Sequence, residues 1–206
     1  LRRLIVFLLA TGAAWGAAPF SHRVHLPMKL ACATCHPAAA ASTLATDNLL
    51  PSRQVCLGCH QESELPAPWQ PMPTRVAFFS HAQHLKMGNV APVIAAAIDR
   101  KTYLQPPGDI RARLNTQNPC EACHRGLEES AQAGRAVMPQ MADCLVCHTK
   151  IDPPFSCEEC HGQDAHLKPA SHTPEFLDTH TNHTLHFDKS TCAVCHGVKF
   201  TCMGCH

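Results

Sequence analysis

The chain has 206 residues, and its 14 cysteines and 16 histidines stand against one tyrosine, two tryptophans and eight phenylalanines. So few large apolar side chains do not make an ordinary core, because the 45% hydrophobic share is inflated by cysteines and alanine runs; something else must fill the interior. Charged residues make up 16% and the formal balance is +1, which excludes a polybasic nucleic-acid binder and an acidic disordered tail.

Residues 1–18 open with Arg2 and Arg3, continue with an apolar stretch over 4–10 and end in small residues up to Ala18, the order of a secretory signal peptide. Gly12 and Gly16 break the stretch, which falls short of the roughly 20 residues of a spanning helix. Export is therefore expected over a retained anchor, with cleavage after Ala14 or Ala18. Residues 19–64 form a first module, with the pair His22-x-x-His25 followed by Cys32-x-x-Cys35-His36 and Cys56-x-x-Cys59-His60. The linker 65–74 holds Pro66, Pro68, Pro71 and Pro73 and is expected to be extended and semi-rigid.

Residues 75–162 repeat the scheme with His81-x-x-His84 and three motifs, Cys120-x-x-Cys123-His124, Cys144-x-x-Cys147-His148 and Cys157-x-x-Cys160-His161. The 35 residues between His84 and Cys120 are long for a loop, and a helix is expected over 91–101. The apolar run 90–98 is too short to span a membrane and is expected to cover something buried. Residues 163–206 carry His183-x-x-His186 with Cys192-x-x-Cys195-His196 and Cys202-x-x-Cys205-His206. Successive motif starts within the three modules lie 24, then 24 and 13, then 10 residues apart, so whatever they hold is tethered closely. Strand signals are almost absent, and short helices are expected at the motifs and histidine pairs.

Every cysteine belongs to a C-x-x-C-H motif. A secreted disulfide scaffold would suit the even count and the export signal, but it does not explain a histidine after each pair, which has a chance of about one in ten million or less. Zinc ribbons have no need of that histidine, and a thioredoxin-like motif does not recur seven times. Two thiols three positions apart can add to the two vinyl groups of one haem while the next residue brings its imidazole to the iron, the attachment signature of c-type haem. Seven covalent haems are expected, with His36, His60, His124, His148, His161, His196 and His206 as proximal ligands.

Nine histidines remain, enough for a second imidazole on every iron. At i and i+3 two rings leave one helical turn on nearly the same side, so each H-x-x-H can serve two neighbouring irons. The expected distal ligands are His22, His25, His81, His84, His183 and His186, followed by His172 and His180; His166 is the ninth. Met28 and Met87 recur in a repeat of the text around the first two pairs and read as gap-fillers rather than ligands. The expected fold is coil and short helices wrapped around a stacked haem array, with little or no β-structure.

With Phe20 before His22 and Phe79 before His81, and with C-x-x-C-H motifs following, the chain from residue 19 onward resembles the class III, low-potential multihaem cytochromes c. The resemblance implies bis-histidine, low-spin haems stacked into an electron wire, although modules of two, three and two motifs depart from the tri- and tetrahaem pattern. Two strong axial ligands restrict an iron to electron exchange, so the expected function is low-potential electron transfer between redox partners in the periplasm or outside the cell, as in anaerobic respiration. A subunit of a membrane redox complex or of an extracellular cytochrome filament is the alternative, and a nitrite-type reductase a more distant one, since no motif is altered to leave an open iron. Removing Arg2 and Arg3 and adding the propionates of seven haems takes the charge to about −15 reduced and about −8 ferric, so partners should present basic docking surfaces.

Overall fold

The structure is a computed structural model that describes residues 20–130, 133–151, 157–167, 172–179 and 192–196. Short helices joined by turns and coil make up these residues: α1 (His22–His25), α2 (Cys32–Cys35), α3 (Arg53–Leu57), α4 (His81–Lys86), α5 (Ala91–Asp99), α6 (Ile110–Arg113), α7 (Met141–Ile151), α8 (Phe176–Thr179) and α9 (Ala193–His196). Several joints are 3-10 turns, among them Pro37–Ala41 and Pro119–Ala122. No strand is present among the described residues; an isolated antiparallel bridge joins Val76 to His161. Helices of one or two turns do not persist alone, so packing must hold most of these in place.

The helix expected over 91–101 is α5, and its ends show why it stops where it does. Asn89 Oδ1 accepts from the Ala91 amide at 3.0 Å, and Pro92 occupies the first turn, where its missing N–H costs nothing. At the other end the Lys101 amide donates to Ile98 and the Thr102 amide to Ala97, both at 2.9 Å, the paired bonds of a Schellman cap. That cap needs a left-handed residue, and Lys101 supplies it at φ 57° with a Cβ in the way. Lys101→Gly should therefore raise stability by about 0.5–1 kcal/mol, read as a higher denaturation midpoint at unchanged slope.

Ala91, Ile94 and Ala97 of α5 are buried against Ala142 and Val146 of α7 and Ala122 of the 3-10 turn, with Tyr103, Ile110 and Leu114 closing the cluster. The small residues let α5 and α7 approach closely. Between them lies a buried polar knot. Arg125 donates to Asp143 Oδ2 at 2.5 Å and to the Ala122 carbonyl at 2.6 Å, the Tyr103 hydroxyl donates to Asp143 Oδ1 at 2.9 Å, and the Gln140 amide donates to Oδ2 at 2.7 Å. No large side chain among the described residues is fully buried, while Val24, Met28, Phe78 and Met87 are each more than half exposed. The polypeptide alone is thus short of core.

The stretches 19–64 and 75–162 interlock. The Ala82 amide and the Ser80 hydroxyl of the second donate to the Ser42 carbonyl of the first at 2.9 and 3.3 Å, the Ala45 amide donates to Ala77, and Arg23 donates through its amide to Ser130. The linker 65–74 has no regular structure apart from its bends, yet it folds back: Arg53 donates to the Pro66 carbonyl at 2.9 Å, and Trp69 meets Phe20 edge-on at 5.4 Å. No helix among the described residues is long and apolar enough to cross a membrane.

Candidate metal centres: facing histidine pairs

Each described C-x-x-C-H motif is built on one helical turn. The amide of the histidine donates to the carbonyl of the first cysteine at 2.9 Å in the motifs of His36, His60, His124, His161 and His196, and the motif of His148 lies within α7. None of the twelve described cysteines is disulfide-bonded.

Each of five motif histidines faces one of the other histidines. Ring centres are 6.3 Å apart for His22 and His36, 6.0 Å for His25 and His60, 6.4 Å for His81 and His124, 6.2 Å for His84 and His148, and 6.2 Å for His172 and His196. These separations fall in a band 0.4 Å wide although the partners are 14 to 64 positions apart in the chain. An imidazole nitrogen sits about 1.1 Å from its ring centre and binds a metal at about 2.0–2.1 Å, so two rings gripping one ion from opposite sides have centres about 6.2–6.4 Å apart. Four of the pairs have that spacing, and the His25/His60 pair, at 6.0 Å, is slightly closer. Three are nearly parallel, at 15°, 11° and 4° for the His36, His124 and His196 pairs, while the His148 and His60 pairs are tilted by 34° and 56°.

No family model, curated protein or solved structure matches this chain.

The other ring nitrogen is held by the backbone. The Nδ1 atoms of His25, His36, His84 and His161 lie 2.8 Å from the carbonyls of Ser21, Leu49, Ser80 and Arg75, and that of His124 lies 3.3 Å from Val137. A carbonyl can only accept, so each Nδ1 carries its proton and the lone pair is left on Nε2, as a metal ligand requires. His81 Nδ1 faces the Ser42 hydroxyl at 3.4 Å; His22 Nδ1 is buried without a partner. Burial, more than the neighbouring imidazoles, holds His22, His81 and His124 below the usual histidine range, so these rings stay neutral and available at neutral pH.

Phenylalanines brace the pairs. Phe20 meets His22 edge-on at 4.9 Å and stacks on His25 at 4.6 Å; Phe79 does the same to His81 at 4.7 Å and His84 at 4.4 Å. In the third module Phe176 stacks on His172 at 4.7 Å and 8°. One ring thus fixes two imidazoles in each of the two described H-x-x-H pairs, and one imidazole at His172. The brace on His172 follows by four residues instead of preceding by two, a signal the histidine spacing did not carry.

Of the expected ligands, His22, His25, His81, His84 and His172 are placed opposite motif histidines. No imidazole among the described residues faces His161. His180, His183, His186, Cys202, Cys205 and His206 lie outside the described residues, as does the expected signal peptide over 1–18. Ser42, the carbonyls of Leu49, Val137 and Arg75, and the Arg125–Asp143–Tyr103 knot were not legible beforehand: any residue type supplies a carbonyl, and the knot joins residues 18 to 40 positions apart.

Among the described residues no cluster of three or more His, Cys, Asp or Glu side chains gathers around one point. Each facing pair supplies two donors, whereas zinc held by protein alone takes three or four. A metal held between such a pair would need further donors from another ligand, and a ring that encircles the metal could supply them. A porphyrin is such a ligand, and the paired thiols beside each motif histidine suit its attachment.

Proposed function

We propose that the chain is an exported electron-transfer protein carrying seven covalent c-type haems, the motif cysteines forming the thioether links. His36, His60, His124, His148 and His196 hold five irons from one side, and His22, His25, His81, His84 and His172 from the other. Bound haem supplies a one-electron ferric/ferrous couple. The protein's part would be to orient these imidazoles, several through backbone carbonyls and several through phenylalanine rings, and two protein ligands on an iron would favour electron exchange over substrate chemistry. The observation that carries the reading is the common 6.0–6.4 Å spacing of the five facing pairs. Wrapping of the short helices around the haems completes the interior that alanine and small residues leave unfilled. Residues 1–18 direct export, and periplasmic partners with basic docking surfaces suit the net negative charge of the loaded protein.

The test is intact mass together with ferric EPR on protein matured in a host that attaches c-type haem. The expected result is a mass increase of seven haems, with low-spin signals only. A polypeptide that leaves maturation without haem overturns the proposal. A high-spin signal accompanied by cyanide binding overturns electron transfer as the sole role and moves the reading to a reductase.

A further inference from the structure

The facing pairs can be ordered in space, and the order differs from that of the motifs along the chain. Sites 1 to 4 are taken here as the pairs of His36, His60, His124 and His148. His22 and His25 share α1, so sites 1 and 2 are neighbours; His81 and His84 share α4, so sites 3 and 4 are neighbours. What remains is which member of the first couple adjoins the second.

Two contacts answer it, both through site 1. Asn118, which caps the turn carrying Cys120 of site 3, donates from its side-chain amide to the Cys32 sulfur of site 1 at 3.4 Å. Ser42, at the end of the 3-10 turn that follows His36, reaches His81 of site 3 with its hydroxyl at 3.4 Å and accepts from the Ala82 amide of α4 at 2.9 Å. Site 2 points elsewhere. Its cysteine Cys56 borders a groove of about 200 Å³ with Arg53, Pro66 and Trp69, and His60 and Cys59 are exposed where His36 and His124 are not.

Resting on the electron-transfer reading above, we infer that the four sites run 2–1–3–4: electrons cross between the first and second modules from the His22/His36 site to the His81/His124 site, and the His25/His60 site, whose motif histidine is exposed, is a terminus where a partner exchanges electrons. Electron exchange falls steeply with separation, so the second module is reached from site 2 only through site 1. A reading by motif order would instead place site 2 in the middle and site 1 at the end.

The experiment is two-dimensional NMR of the reduced holoprotein, in which protons on haems in contact give cross-peaks, with single variants His22→Met and His25→Met used to assign sites 1 and 2 by the resonances that each displaces. Cross-peaks are expected between 1 and 2, 1 and 3, and 3 and 4, and not between 2 and 3. Cross-peaks between 2 and 3 without any between 1 and 3 overturn the order. Where a variant fails to mature, iron positions from anomalous scattering in crystals of the unaltered holoprotein give the same answer: of the two irons in the first module, the one nearer site 3 must be held by His36 and not by His60. A loaded protein with the wrong order overturns this inference alone, whereas a protein that matures without haem overturns the reading beneath it.

Discussion

Replacing Asp143 with alanine lowers the stability of the protein by about 3–5 kcal/mol, seen as a large drop in the urea midpoint, because it leaves the buried Arg125 guanidinium without its counter-charge. The size follows from what Asp143 does at once. Its two oxygens accept from Arg125, from the Tyr103 hydroxyl and from the Gln140 amide, and both members of the ion pair have side chains less than a tenth exposed. Truncation strands all three donors in a region walled by α5 and α7, where water does not replace the lost acceptor. A joint replacement of Arg125 and Asp143 by leucine or methionine should cost much less than Asp143→Ala, since removing both charges removes the desolvation penalty as well.

The same knot gives the molecule an alkaline limit. Burial, and after it the charge of Asp143, holds the Tyr103 hydroxyl far above the usual tyrosine range. A raised folded-state value means that the stabilising contribution is complete below the unfolded value of about 10 and is lost as pH rises beyond it. Unfolding midpoints should therefore fall above about pH 10, and Tyr103→Phe should flatten that fall while costing about 1 kcal/mol near neutrality for the lost hydrogen bond.

How far the sequence could be read follows from where each constraint lies. The C-x-x-C-H motifs are legible because each places two thiols and an imidazole within five residues, so whatever chemistry they carry is written locally. The short helices and the helix over 91–101 follow for the same reason, from runs and caps a few residues long. The pairing of rings is different in kind. His22 reaches His36 over 14 residues and His84 reaches His148 over 64, and nothing in either segment marks the partner until the chain is folded. Nor does the proline-rich stretch announce that it turns back onto Phe20 and Arg53, since its composition speaks for stiffness and not for direction. The least legible feature is Ser42, an ordinary serine after a run of alanines, which ties the first module to His81 and the start of α4 in the second.

His81→Gly in the loaded protein, on the reading proposed above, should convert one haem in seven from low to high spin and leave the other six unchanged. The rings of His81 and His124 lie 6.4 Å apart, nearly parallel, with no other imidazole described opposite His124, so removal of one leaves nothing to take its place. A merely structural histidine would behave differently: its loss would loosen Phe79 and α4 and lower the denaturation midpoint without opening an iron. Added imidazole separates the two cases, because it can enter the vacated space and restore the low-spin signal only if a ligand has been lost. His84→Gly should open a different iron, that of His148, and the double variant should open two, because Phe79 braces the two rings while each serves its own site. A spectrum that does not change in His81→Gly would remove His81 as a ligand. One opened iron in the double variant, in place of two, would mean that the histidine pair serves a single metal.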